Sequence, residues 1–168
     1  MGFLNPQAFQ GNLNRLYTSV LVPNFTSLSV TAPYMSKGLV QLSFSGDSIH
    51  QIPTAVGVVN SPEPYLMVKI TISLLRSQPL SAAWLAQFQA QCVLGPVTCY
   101  SDSSAFPAIT SINTAIQNID PGSYDGGDPS MRVTLSGQYY INGAMWTGQV
   151  QGALGAVLGG LGAVGNLL

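Results

Sequence analysis

The sequence predicts a mainly β protein: a small antiparallel β-barrel or sandwich with one amphipathic α-helix, a long strand-connecting loop and an extended C-terminal arm. Three observations carry this. Several segments alternate apolar and polar residues with period two, one segment has helical spacing instead, and runs rich in Gly, Pro, Asp and Ser fall between them. A chain of 168 residues can bury one sizeable core. It divides into an N-terminal arm (1–12), a β domain (13–150) and a Gly-rich apolar arm (151–168).

The first strand is expected over Leu13–Val22. Val40–Ser45 follows, with Val40, Leu42 and Phe44 facing inward and Gln41, Ser43 and Ser45 outward. Tyr65–Leu74 has the sharpest alternation: Leu66, Val68, Ile70, Ile72 and Leu74 are aliphatic, while Lys69, Thr71 and Ser73 face water. Between these strands lies Gly46–Pro64, punctuated by Pro53, Gly57, Pro62 and Pro64. It exceeds the roughly two to five residues of an ordinary hairpin connection, so it reads as a functional arm carrying the apolar Ile52, Val56, Val58 and Val59.

From Pro79 to Gln91, Leu80, Trp84 and Phe88 recur every fourth residue, the spacing of a helix with Pro tolerated in its first turn. That row is expected to be a core face. Further strands are expected over Val97–Tyr100, Ala108–Ile119 and Met131–Ile141, the last two separated by the turn-rich Asp120–Pro129. Gly152–Leu168 is uncharged, carries six glycines and falls short of the roughly 20 residues that span a bilayer. An arm packed between neighbouring subunits fits it better than a membrane span.

Composition narrows the function. Only 7% of residues are charged, against about 25% in ordinary soluble domains. Little self-repulsion keeps copies apart, so the composition is that of an assembly subunit; a secreted or surface-layer domain is the alternative. Arg15, Lys37, Lys69, Arg76 and Arg132 are scattered at a net charge of -1, which argues against sequence-specific nucleic-acid binding. Met1–Pro6 lacks the charged and apolar regions of a signal peptide, and Pro6 spoils a myristoylation motif.

No catalytic, metal or cofactor site is expected. His50, Ser48 and Asp47 crowd one loop instead of converging from separate elements. Asp120, Asp125 and Asp128 lack the closing Glu of an EF-hand and read as turn chemistry. Gly126–Gly127 is followed by neither Lys nor a helix, so no phosphate cradle is indicated. Cys92 and Cys99 match no zinc or redox spacing; two reduced thiols are expected, with a disulfide across a local turn as the alternative.

The element order resembles the tail tube proteins of contractile-tailed bacteriophages, which are related to secretion-system tube proteins. The resemblance rests on Pro64–Leu80 as a strand-to-helix passage and on Pro121–Pro129 leading into Met131–Tyr140, and it covers roughly Leu13 to Ile141. It implies a virion protein, assembled in the host cytoplasm, whose six copies form a ring. Rings stack into a tube inside a sheath, above a baseplate, and DNA transits the lumen without specific binding. In that picture Gln41, Ser43, Ser45, Lys69, Thr71 and Ser73 line the lumen, and Ile52, Val56, Val58 and Val59 reach a neighbouring ring or subunit. Leu80, Trp84 and Phe88 then pack the helix on the outer side of the sheet. The Gly-rich extension and the low charge depart from the family, which leaves main tube protein and specialised baseplate or neck ring both open. Two other readings compete: an exported or surface β-sandwich assembly or adhesion protein, and a membrane-active protein using Gly152–Leu168.

Overall fold

A computed structural model describes residues 17–103, 106–124 and 127–145. The chain runs β1 (Ser19–Leu21), a 3-10 segment (Pro23–Leu28), β2 (Val30–Thr31), a 3-10 turn (Ala32–Tyr34), β3 (Met35–Ser45), β4 (Ile49–Pro53), β5 (Val58–Pro62), β6 (Tyr65–Leu75), α1 (Pro79–Ala90), β7 (Val93–Tyr100), β8 (Ile109–Asp120) and β9 (Ser130–Tyr140). Seven strands form one antiparallel sheet in the order β2-β1-β7-β8-β9-β6-β3, curled into a nearly closed barrel; β4 and β5 form a separate pair.

Register explains the core. Because directly paired residues share a face, the rows Val40–Ile72–Val133–Ile119 and Leu42–Ile70–Leu135–Ile116 point the same way across four strands. Val68, Ile70, Ile72, Leu74, Val133 and Leu135 are essentially inaccessible, and Val20, Val22, Leu94 and Val97 close the core from the other side. The expected facing of Leu42 and Phe44 is right, yet neither is buried: they remain 37% and 44% exposed. The reason is position. β3 is the last strand of the sheet, so among the described residues no strand lies beyond these side chains, and Phe44 packs against Tyr139, with ring centroids 5.2 Å apart.

The helix starts where expected, with Pro79 in its first turn, and ends one residue early at Ala90. Ser81 ties its start to the preceding strand, its hydroxyl lying within hydrogen-bonding distance of the carbonyls of Leu75, Arg76 and Gln78 (3.2, 3.1 and 2.7 Å). Gln87 is half-buried and closes the other end, its side-chain amide donating to the Gln91 carbonyl at 2.9 Å. α1 packs on the Pro23–Leu28 segment and β8. Trp84 is fully buried in the core, with Leu80 and Phe88 partly buried against it.

Other boundaries move. The early strand covers only Ser19–Leu21, with Leu13–Leu16 outside the described residues. β7 begins at Val93 rather than Val97, bulging around Gly95, whose φ is +83°. The largest correction is Gly46–Pro64, which is a β-hairpin (β4–β5) and not an open loop. The arms 1–12 and 151–168 lie outside the described residues, as do the ends of the 13–150 domain.

Candidate functional site: a polar sheet face and an exposed hairpin

The opposite side of the sheet is a polar surface four strands wide. Gln41 pairs with Thr71, Thr71 with Thr134 and Thr134 with Asn118. In the next rows Ser43, Lys69, Ser136 and Ala115 line up, then Ser45, Met67 and Gln138. Toward the other end, Ser73 meets Arg132, which meets Asp120. Of the expected lining residues, Gln41, Ser43, Ser45 and Lys69 are exposed and Thr71 is half-buried. Ser73 is corrected: it is only 5% exposed. β3 bulges between Met35 and Val40 and lays Gly38 over it, where a Cβ would come within 2.6 Å of the Ser73 hydroxyl. The polar face dips there into a hollow of about 630 Å³ flanked by Lys37, Gln41, Thr71, Asp128 and Arg132.

Half of this face was missed in the sequence. Arg132, Thr134 and Ser136 alternate visibly, but strand order is not written in periodicity, so their place beside Lys69 and Thr71 emerges only from the register. Lys69 and Arg132 share the face with Asp120, so it presents mixed, sparse charge.

The hairpin projects from the seam between β3 and β6, and every residue from Ile49 to Ser61 is exposed. Ile52 faces the same side as its partner Val59, while Ile49, Pro53, Val58 and Pro62 share the other. Both faces are therefore partly apolar. At the tip, the Thr54 amide donates to the Gly57 carbonyl at 2.7 Å and the Thr54 hydroxyl accepts from the Gly57 amide at 3.2 Å. This tight turn holds out Val56, which is 99% exposed.

Asn142 roots the hairpin, and no sequence signal pointed to it. Its amide donates to the carbonyls of Ser48 (3.0 Å) and Glu63 (2.8 Å), the two residues that close the hairpin base. Its φ of 55° is a conformation asparagine tolerates better than most residues. Asn142→Ala is expected to leave the barrel intact and speed hydrogen exchange of the β4–β5 amides roughly tenfold or more, by removing two hydrogen bonds worth about 1 kcal/mol each. Unchanged β4–β5 exchange would show that the root holds without it.

Arg76 performs a similar task at the other end. Its guanidinium donates to the carbonyls of Pro121 and Ser123 and lies 4.9 Å from the Tyr124 ring centroid. Asp120 and Asp128 accept the amides of Gly122 and Ser130, each at 3.0 Å, as turn residues do; Asp125 lies outside the described residues. Asp47, Ser48 and His50 string along the hairpin root and its first strand, where Ser48 is engaged through its backbone. Among the described residues no group of three His, Cys, Asp or Glu could hold a metal ion, and no helix is long and apolar enough to cross a membrane. Cys92 and Cys99 are free thiols, and burial pushes the Cys99 thiol up to about 12.

No family model matches the chain, and no curated protein does. Among solved structures, the sheath/tube terminator of the extracellular contractile injection system PVC, in its extended state, aligns with 80% of this chain and 98% of its own at 16% identity, with a TM-score of 0.50. The sheath–tube complex of the same system aligns at 13% identity over 79% and 95% (TM-score 0.48), and the tube-terminating cap of the anti-feeding prophage at 12% over 84% and 100% (0.46). The chain thus shares its fold with a component of a contractile injection system.

Proposed function

We propose that this chain is a structural subunit of a contractile tail, a tube-type protein that assembles with copies of itself into stacked, hexameric rings through which DNA leaves the particle. Its place is the virion tail, and its partners are itself, the sheath and the baseplate. The main tube and a specialised ring at its end share this mechanism.

One observation carries the reading: the molecule has two unlike surfaces, a polar sheet face and an apolar rim that stays exposed among the described residues. Gln41, Ser43, Ser45, Lys69 and Thr71, joined by Thr134, Ser136 and Asn118, suit a channel wall. Each Lys or Arg contact to phosphate adds affinity by counterion release, so a wall of hydroxyls and amides lets DNA slide. Ser73 lies buried beneath the β3 bulge instead. Leu42, Phe44 and the hairpin residues Ile52, Val56, Val58 and Val59 are the opposite case, apolar and open. A ring of copies covers such surfaces and pairs the free strand edge of β3. The helix row Leu80, Trp84 and Phe88 lies on the apolar side of the sheet, away from the channel wall, and α1 then forms part of the outer wall against the sheath.

Negative-stain microscopy of the purified protein tests this. Rings or tubes with a central channel are expected; a stable monomer at micromolar concentration in sedimentation overturns it. Replacing β4–β5 by a two-residue turn is expected to leave the barrel folded and to abolish stacking. Tubes of normal length from that variant would remove the hairpin from the contact.

A further inference from the structure

We propose that the hairpin tip of one copy, Ala55–Val56, seats in the apolar groove beside β3 of a second copy. This rests on the reading of the chain as an assembling subunit and identifies both halves of one contact.

The groove opens where the barrel fails to close. Val40 and Leu42 of β3 form one wall; Cys99 of β7, Ile109 of β8 and Phe106 before it form the other, around a cavity of about 220 Å³. Among its lining residues only Asp102 is charged. From Ser48 to Pro62 the hairpin has no Asp, Glu, Lys or Arg. Asp102 apart, both surfaces are uncharged, so their Ile, Val, Leu and Phe side chains desolvate one another without stranding a buried ion.

A second copy is the occupant for three reasons. Among the described residues of one chain the tip stays 99% exposed at Val56 while Leu42 in the groove stays 37% exposed, so the two surfaces do not satisfy each other within one barrel. The five-residue strands carry the tip roughly 17 Å beyond its root at about 3.3 Å per residue, far enough to leave its own barrel. A two-stranded hairpin is marginal in water unless something covers it, and here both faces carry uncovered Ile, Val and Pro. The Thr54–Gly57 turn is already rigid, which lowers the ordering cost of docking. Tip and groove are different surfaces, so the contact is head-to-tail and propagates from copy to copy, as rings and stacks require.

Cysteine pairs in the full-length chain, with Cys92 and Cys99 replaced by Ala, provide the test. Mild oxidation of Leu42→Cys/Val56→Cys is expected to give a ladder of cross-linked copies on a non-reducing gel. Gln41→Cys/Val56→Cys places the thiol on the opposite face of β3, away from the groove, and is expected to give none. Val56→Asp should melt like the parent, because the side chain is exposed, and weaken self-association at least tenfold. Rings that form without a ladder from the Leu42 pair, or equal ladders from both pairs, overturn the tip-in-groove contact and leave the ring reading standing. A ladder from the Leu42 pair alone, in a protein that forms no rings, keeps the contact and overturns the ring reading. Neither ladder nor rings sinks both.

Discussion

Trp84→Ala is expected to cost about 3–5 kcal/mol of unfolding free energy, out of a total of ~5–15 kcal/mol for a domain. The melting temperature should fall by roughly 6–20 °C at this chain length. Trp84 is the largest of the fully buried side chains and joins α1 to the barrel core. Its indole nitrogen is buried with no hydrogen-bond partner among the described residues, and an unsatisfied buried donor costs about 1–3 kcal/mol. Trp84→Phe should therefore melt much closer to the parent, since it keeps a ring and removes the orphaned N–H. Leu85→Ser, one position along and 41% exposed, should change little. If Trp84→Ala melts like the parent, the helix does not hold the core; if Trp84→Phe falls as far as Ala, the N–H has a partner.

Gly137→Val should be as damaging for the opposite reason. Gly137 sits on the core side of β9, paired with Val68, where β8 bulges and brings a buried Ser111–Thr114 hydroxyl pair underneath, 2.8 Å apart. A Cβ at position 137 would collide with the Ser111 oxygen and stand 2.7 Å from that of Thr114 and 3.0 Å from the Ile112 carbonyl. Side chains can rotate, but a backbone carbonyl inside the sheet has little room to move. Even Ala is expected to cost about 1–3 kcal/mol by overpacking, and Val, with two more methyl groups, beyond that range. Ser111→Ala should recover part of the loss in the Gly137→Ala background, as neighbours in contact are not additive. Denaturant melts of the two singles and the double decide it: strict additivity would mean the barrel opens elsewhere to admit the new methyl.

Much of the barrel could be read residue by residue, for a physical reason. β6 lies between β3 and β9 with the core beneath it, so its alternation of Val68, Ile70 and Ile72 with Lys69 and Thr71 translates directly into buried and polar sides. The same alternation in β3 gave the facing of Leu42 and Phe44 but not their exposure, because coverage depends on what lies beyond an edge strand. Ser73 failed through the β3 bulge, which no pattern in Met35–Val40 announces. The hairpin was hidden by its own composition: Ile52 and Val59 face each other, but Pro53, Gly57 and Pro62 look like loop residues and neither face is wholly apolar. The stretch Pro23–Tyr34 folds as short 3-10 turns around two bridging residues, with no repeat long enough to carry a period. Asn142 offered nothing, since its role lies in two backbone carbonyls brought to it from far along the chain.

The absence of charge from Ser48 to Pro62 bears on temperature. A contact made by Ile, Val and Pro draws its strength from the release of water, and that contribution fades on cooling. Added salt, which screens charges over about 10 Å at 0.1 M, finds almost nothing there to screen. A contact of the proposed kind on this hairpin would thus be held by a force that is firm at growth temperature, slackens toward freezing and is nearly indifferent to ionic strength, the behaviour of a joint whose tightness is set by warmth.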